Sequence, residues 1–167
     1  MARRIEVIRR ILEISDPSAL VPPSKPPRVA FELIEVHDPK LNRELYETVG
    51  APYYWTDRLG WSDSDWERWE ARVETRIISV EGERAGYFEL EAGGGRVTIA
   101  YFGLFERFHG LGIGGHVLTT AIRRGFELGS TVQVSTNNLD GEYALANYEA
   151  RGMRERQRFT ERRIIDD

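Results

Sequence analysis

Seven residues near the middle of the chain, His109-Gly110-Leu111-Gly112-Ile113-Gly114-Gly115, have the make-up of an anion cradle. A strand pattern precedes them, with Val97, Ile99 and Tyr101 alternating with Thr98 and Ala100. A helix pattern follows, with Ile113, Val117, Leu118, Ala121, Ile122 and Phe126 recurring on one face. A glycine-rich turn feeding a helix presents unpaired backbone N–H groups at the positive end of the helix dipole. Phosphate or pyrophosphate suits such a turn, and the missing side chains allow close approach. Gly110-x-Gly112-x-x-Gly115 also matches the dinucleotide fingerprint, which requires a second parallel strand closing on an acidic residue about 20 positions later. The strand pattern at Thr131–Thr136 ends without one, and the Lys-Ser/Thr of a P-loop is absent. Glycines that serve only helix–strand packing remain an alternative.

Other side chains suit proton transfer and acceptor binding. Glu89 lies in Tyr87-Phe88-Glu89-Leu90-Glu91, where alternation puts Tyr87, Glu89 and Glu91 on one face. Its carboxylate either takes a proton from an amine, directly or through water, or belongs to a solvated face. Asp140 and His37 are further candidates for the base. Tyr148 carries a phenol that, with an ordinary pKa of about 10, stays protonated at neutral pH and can donate; the alternative is a core aromatic. All four tryptophans lie between Trp55 and Trp69, beside Tyr53 and Tyr54. Tyr54, Trp55 and Trp61 can wall an amine site, with Asp57 beside them to pair with a cation. Trp66 and Trp69, three apart, suit the buried side of a helix.

The elements that must position these groups follow from pattern. Arg4–Ser15 is rich in β-branched residues and reads as a strand, although Ile5, Ile8 and Leu12 fit a helix too. Asp16–Arg28 holds five of the seven prolines and implies an extended connector. Val29–Val36 reads as a strand, Leu41–Val49 as a short helix, and Asp63–Arg72 as a helix begun by a capping box from Ser62 to Asp65. Arg76–Val80, Arg84–Glu91 and Arg96–Leu104 form a meander turned at Glu81-Gly82 and Gly93-Gly94-Gly95. Thr131–Thr136 is a strand, Gly141–Ala150 a helix ended by Gly152, and Arg154–Thr160 a last strand. The chain divides into an arm and connector, residues 1–27, and one domain, residues 28–167.

Composition excludes several classes. The 167 residues suffice for one domain with a real core. A formal charge of −4 gives no reason to expect a nucleic acid or an acidic membrane as partner. The absence of cysteine rules out disulfides, a thiol nucleophile and cysteine-ligated metal. No apolar run reaches membrane-spanning length and no signal-like stretch opens the chain, so the expectation is a cytoplasmic protein.

Two signatures together resemble the GNAT superfamily of acyl-CoA N-acyltransferases. His109–Gly114 is similar to its pyrophosphate loop, Arg/Gln-x-x-Gly-x-Gly/Ala, with His109 in place of Arg or Gln. Ala144–Met153 is similar to its Ala-x-x-x-Tyr-x-x-x-Gly-Phe, with Met153 in place of Phe and Gly141 where many members carry Asn. The resemblance covers roughly residues 28–160 and implies an α/β (α+β) fold, a mixed, mostly antiparallel central sheet flanked by helices. It implies transfer of an acetyl group from acetyl-CoA, the cosubstrate, directly to an amine without a metal. It implies Tyr148 as the acid for the departing thiolate and Glu89 as a candidate base. Phe102, Gly103 and Leu104 would pair with the pantetheine arm, and His109, Gly110, Leu111, Gly112, Ile113, Gly114 and Gly115 would hold the phosphates. The region of Tyr54, Trp55 and Trp61 would shape the acceptor pocket. Thr56–Trp61 and Gly86–Leu90 resemble stretches of a bacterial subgroup, without naming a substrate. The acceptor stays open between a small-molecule and a peptide amine, and a homodimer is compatible. A non-catalytic acyl-CoA-binding module and a peptide-binding domain using the tryptophans are the alternatives. The family ends in two strands where this chain shows one, so the N-terminal arm is expected to take the vacant edge.

Overall fold

A computed structural model describes residues 1–166, and its elements follow the patterning of the chain. In order they are β1 (Ala2–Ile14), β2 (Glu32–Val36), α1 (Pro39–Gly50), α2 (Asp63–Glu70), β3 (Val73–Val80), β4 (Glu83–Gly93), β5 (Arg96–Leu104), α3 (Gly114–Leu128), β6 (Thr131–Asn137), α4 (Ala144–Ala150) and β7 (Arg154–Asp166). Local chemistry sets many of the boundaries. Asp38 accepts from the Lys40 backbone N–H just ahead of α1, with Pro39 at the first helical position. Ser62 and Asp65 close a reciprocal capping box at α2. Gly94 and Gly95 both take positive φ in the tight turn from β4 to β5.

All seven strands join one sheet in the order β2-β3-β4-β5-β6-β1-β7. Every neighbouring pair is antiparallel except β5–β6, which is parallel. Alternation along the strands divides the apolar residues between two faces. On one, Leu12, Ile14, Phe88, Leu90, Val97, Ile99, Val132 and Val134 bury against Val117, Leu118, Ala121 and Ile122 of α3 and Tyr148 of α4. On the other, Ile77 and Tyr87 pack on Leu45 and Val49 of α1, and Val73 on Trp66 and Trp69 of α2. Among the described residues, no helix is long and apolar enough to cross a membrane.

The N-terminal strand departs from expectation in an instructive way. It lies inside the sheet, with Arg9–Ile14 paired to β6 and Ala2–Glu13 paired to β7, so β7 forms the edge. The last strand runs thirteen residues rather than stopping at Thr160, because β1 offers it a ladder along its whole length. The first strand of the meander side begins at Glu32 rather than Val29. Arg28 spends its backbone N–H on the Leu111 carbonyl instead of a sheet ladder. Leu12 is completely buried between β6 and β7. Leu12→Ala should cost about 3 kcal/mol in urea denaturation. Removal of residues 1–14 should abolish the cooperative transition, since β6 and β7 then lose their shared partner.

Candidate active site in the gap between the parallel strands

The parallel ladder ends at Ile99 and Val134, while β5 continues to Leu104 and β6 to Asn137. Directly beyond the last rung, β5 carries a bulge: Leu90 opposes Ile99 and Glu89 opposes Tyr101, leaving Ala100 over. A bulge bends its strand and raises the local twist, which turns β5 away from β6. A cleft of about 1540 Å³ opens in the gap and reaches both faces of the sheet. Its lining includes Ile99, Phe102, Leu104, Tyr148 and the glycine loop on the α3–α4 side, and Trp55, Asp57, Arg58, Trp69, Ala100, Tyr101 and Gly103 on the α1–α2 side.

The loop after β5 is braced from outside. Gly110 and Gly112 take positive φ, a region that L side chains rarely adopt. A side chain at Gly110 would point into open space. His109 is exposed, with its Nε2 3.0 Å from the Leu104 carbonyl and 3.4 Å from the Tyr53 hydroxyl, so the ring fastens the loop. The proline-rich connector crosses the same place. Arg28 donates to the Gly110 carbonyl from its side chain and to the Leu111 carbonyl from its backbone, and the Lys25 carbonyl lies 2.7 Å from Nε2 of His116. Val21 donates to the Arg151 carbonyl at the end of α4. Residues expected as a linker thus clamp both helix ends that flank the cleft.

Tyr148 stands on α4 with its ring 6.4 Å from that of Phe102. Burial, with a smaller contribution from the Asp140 carboxylate, pushes its phenol well above the ordinary value. Asp140 accepts from Thr136 Oγ1 at 2.6 Å and from the Asn137 backbone N–H at 3.0 Å. Arg151, one turn past Tyr148, lays its guanidinium over Gly115, where a Cβ would lie 2.1 Å from Nη1. Its Nε is buried without a hydrogen-bond partner, and desolvation lowers its pKa.

Glu89 lies elsewhere than a solvated face. It is completely buried and does not line the cleft. Asn42 Nδ2 at 2.6 Å, Trp69 Nε1 at 2.9 Å and Arg58 Nη1 at 3.3 Å donate to its carboxylate. Burial raises its pKa above the usual carboxylate range, and Arg58 opposes that shift. Arg58, together with Trp69, stands between Glu89 and the cleft. Its guanidinium carbon sits 3.9 Å from the Trp69 ring centre, 4.5 Å from Tyr101 and 4.6 Å from Trp61.

The structure brings most of the expected site together. Phe102, Gly103, Leu104, His109, Gly110, Gly112, Ile113, Gly114, Gly115, Tyr148, Tyr54 and Trp55 line the cleft; Leu111, Trp61 and Glu89 do not. Leu111 turns into the core, and Trp61 covers Arg58. His37 is remote, between Glu35 and Glu70. Gly103 has a reason other than ligand approach, since a Cβ there would meet Val49 at 2.7 Å and the Trp55 ring at 3.4 Å. Arg58, Arg151 and Arg28 are additions that pattern reasoning passed over. Arg58 alone had a sequence signal, as one of two cations, with Arg68, inside the aromatic run from Tyr53 to Trp69.

Comparison with known proteins agrees with this architecture. A GCN5-related N-acetyltransferase from Kribbella flavida superposes with a TM-score of 0.64 at 17% identity, covering 95% of this chain and 58% of its own. A putative GNAT acetyltransferase from Novosphingobium aromaticivorans gives 0.62 at 14%, covering 98% and 66%. A Bacillus subtilis acetyltransferase in complex with CoA gives 0.56 at 23%, covering 75% and 76%. The chain therefore spans roughly three-fifths of the length of the first of these structures. A search of curated proteins gave no match. The profile of the Acetyltransferase (GNAT) family matches residues 41–153, around the meander, the glycine loop and α4. By that match across most of its length, the chain belongs to the Acetyltransferase (GNAT) family.

Proposed function

We propose that this protein transfers an acetyl group from acetyl-CoA directly to a primary amine. One observation carries the reading: the glycine loop, the unpaired side of β5 and Tyr148 share the walls of one cleft that passes through the sheet. The loop's backbone N–H groups and the start of α3 suit the pyrophosphate. The edge of β5 over Ala100–Gly103, which β6 leaves unpaired, suits the amide-bearing pantetheine arm. The B. subtilis structure in complex with CoA supports a CoA-borne donor.

In the reaction the amine nitrogen attacks the thioester carbonyl, a C–N bond forms, and the C–S bond breaks with its electron pair on sulfur. Tyr148 gives its hydroxyl proton to the sulfur, and the surplus proton on nitrogen passes to water, from which the Tyr148 hydroxyl is restored. Glu89, already accepting from three donors, holds Arg58 rather than meeting the amine. Holding donor and acceptor in one cleft converts a bimolecular encounter into an oriented one.

Calorimetric titration tests the donor, with NAD as control: saturable binding of acetyl-CoA alone is the expected outcome. Binding without turnover across an amine panel would leave a regulatory CoA-binding module. Tyr148→Phe should lower kcat at least ten-fold and leave acetyl-CoA affinity nearly unchanged, and an unchanged kcat removes Tyr148 from the mechanism. The active form of Tyr148 is protonated and burial raises its pKa. Deprotonation of Tyr148 should therefore produce no alkaline fall in kcat below about pH 10.

A further inference from the structure

We propose that the acceptor carries a carboxylate as well as its amine, and that Arg58 is the anchor for that carboxylate. The inference rests on the acyl-transfer reading and names the chemical class of its second substrate. If the donor lies along the glycine loop and β5, the acceptor approaches from the α1–α2 side, whose lining includes Asp57, Arg58, Trp69 and Tyr101.

Arg58 is held in an unusual way for a wall residue. Trp69, Tyr101 and Trp61 surround its guanidinium, with Tyr46 and Trp66 within 6 Å. Such packing restricts the plane of the group. Of its side-chain nitrogens, Nη1 donates to Glu89 Oε1, and Nε and Nη2 have no protein acceptor among the described residues. Those two nitrogens are not sealed in the interior, since they are absent from the buried unpartnered atoms, and the residue borders the cleft. A guanidinium with a fixed plane and an unspent edge matches the two oxygens of a carboxylate. Glu89, itself fixed by Asn42 and Trp69, sets the rotation of that edge. The backbone of Arg58 is tied down too, its N–H donating to the Tyr46 hydroxyl at 3.1 Å. The anchor is thus ordered before a ligand arrives, which lowers the entropy cost of binding.

Two other readings of the same wall make different predictions. If Arg58 only balances Glu89, a carboxylate on the acceptor brings no gain. If exposed Asp57, which has no ion-pair partner among the described residues, governs the site, a polycationic amine binds best.

The four tryptophans, three of them within 6 Å of the Arg58 guanidinium, supply a readout that needs no turnover. With CoA present, tryptophan fluorescence is titrated with paired probes: free dipeptides, the same dipeptides as C-terminal amides, and spermidine. The expected result is binding of the free acids about ten-fold or more tighter than the amides, the gain of a charge-assisted bidentate contact. Arg58→Lys should weaken the acids several-fold, and Arg58→Gln should erase the difference between acids and amides while acetyl-CoA affinity stays unchanged. The wild-type comparison decides even if these variants fail to fold. Equal affinity for acid and amide, no binding of either, or a preference for spermidine overturns the proposal. A sample that fails to bind acetyl-CoA defeats the acyl-transfer reading separately. The probe titration, repeated without CoA, still reports the carboxylate preference.

Discussion

Everything at the site depends on two parallel strands that pair for only four rungs and then part. Backbone groups beyond Ile99 on one strand and Val134 on the other cannot satisfy each other. Unpaired peptide groups need water or a ligand, so the gap is a standing demand for hydrogen bonds. It stays open because each strand is committed on its other side. Beyond the bulge at Ala100, Tyr101–Leu104 of β5 stay paired to β4, and Arg9, Arg10 and Ile11 hold the end of β6 on β1. Strand pairing, rather than a flexible loop, therefore sets the width of the cleft.

The two faces of the sheet divide the chemistry. One side supplies a glycine turn with a helix start, suited to an extended anion. The other supplies a caged arginine and an aromatic wall, suited to a smaller, polar molecule. Buried ion pairs are weak evidence of stability, because desolvation offsets much of the attraction between the charges. The Arg58–Glu89 pair is better understood as an orienting device. Thr56–Trp61 and Gly86–Leu90, the two stretches that stood out as subgroup-like, meet in this contact.

The readable parts of the sequence were those governed by near neighbours. The meander from Val73 to Leu104, the turn at His109–Gly115 and the helix after it all carry their own turn, cap or period. The place of β1 was not legible, since its ladders join residues well over 100 apart and no local pattern encodes a partner. The length of β7 depended on that same pairing. Gly103 illustrates a subtler limit: a glycine in a strand signals close approach, but only the fold reveals that Val49 and Trp55 are what approach. Glu89 read as a carboxylate on an alternating face, and burial by α1 and α2 changed what that face meets.

The position of β1 between β6 and β7 also explains the apparent loss of a final strand. Ala2 stands opposite Asp166, antiparallel, as the two sides of a hairpin stand at their turn. Connectivity and architecture are thus separable in this sheet. A circular permutant that joined these ends and opened in the proline-rich stretch 16–28 could keep every strand pair. Its sequence would then finish in two strands, the pattern implied for the family. The departure lies in the order of the chain and leaves the surfaces that frame the cleft intact.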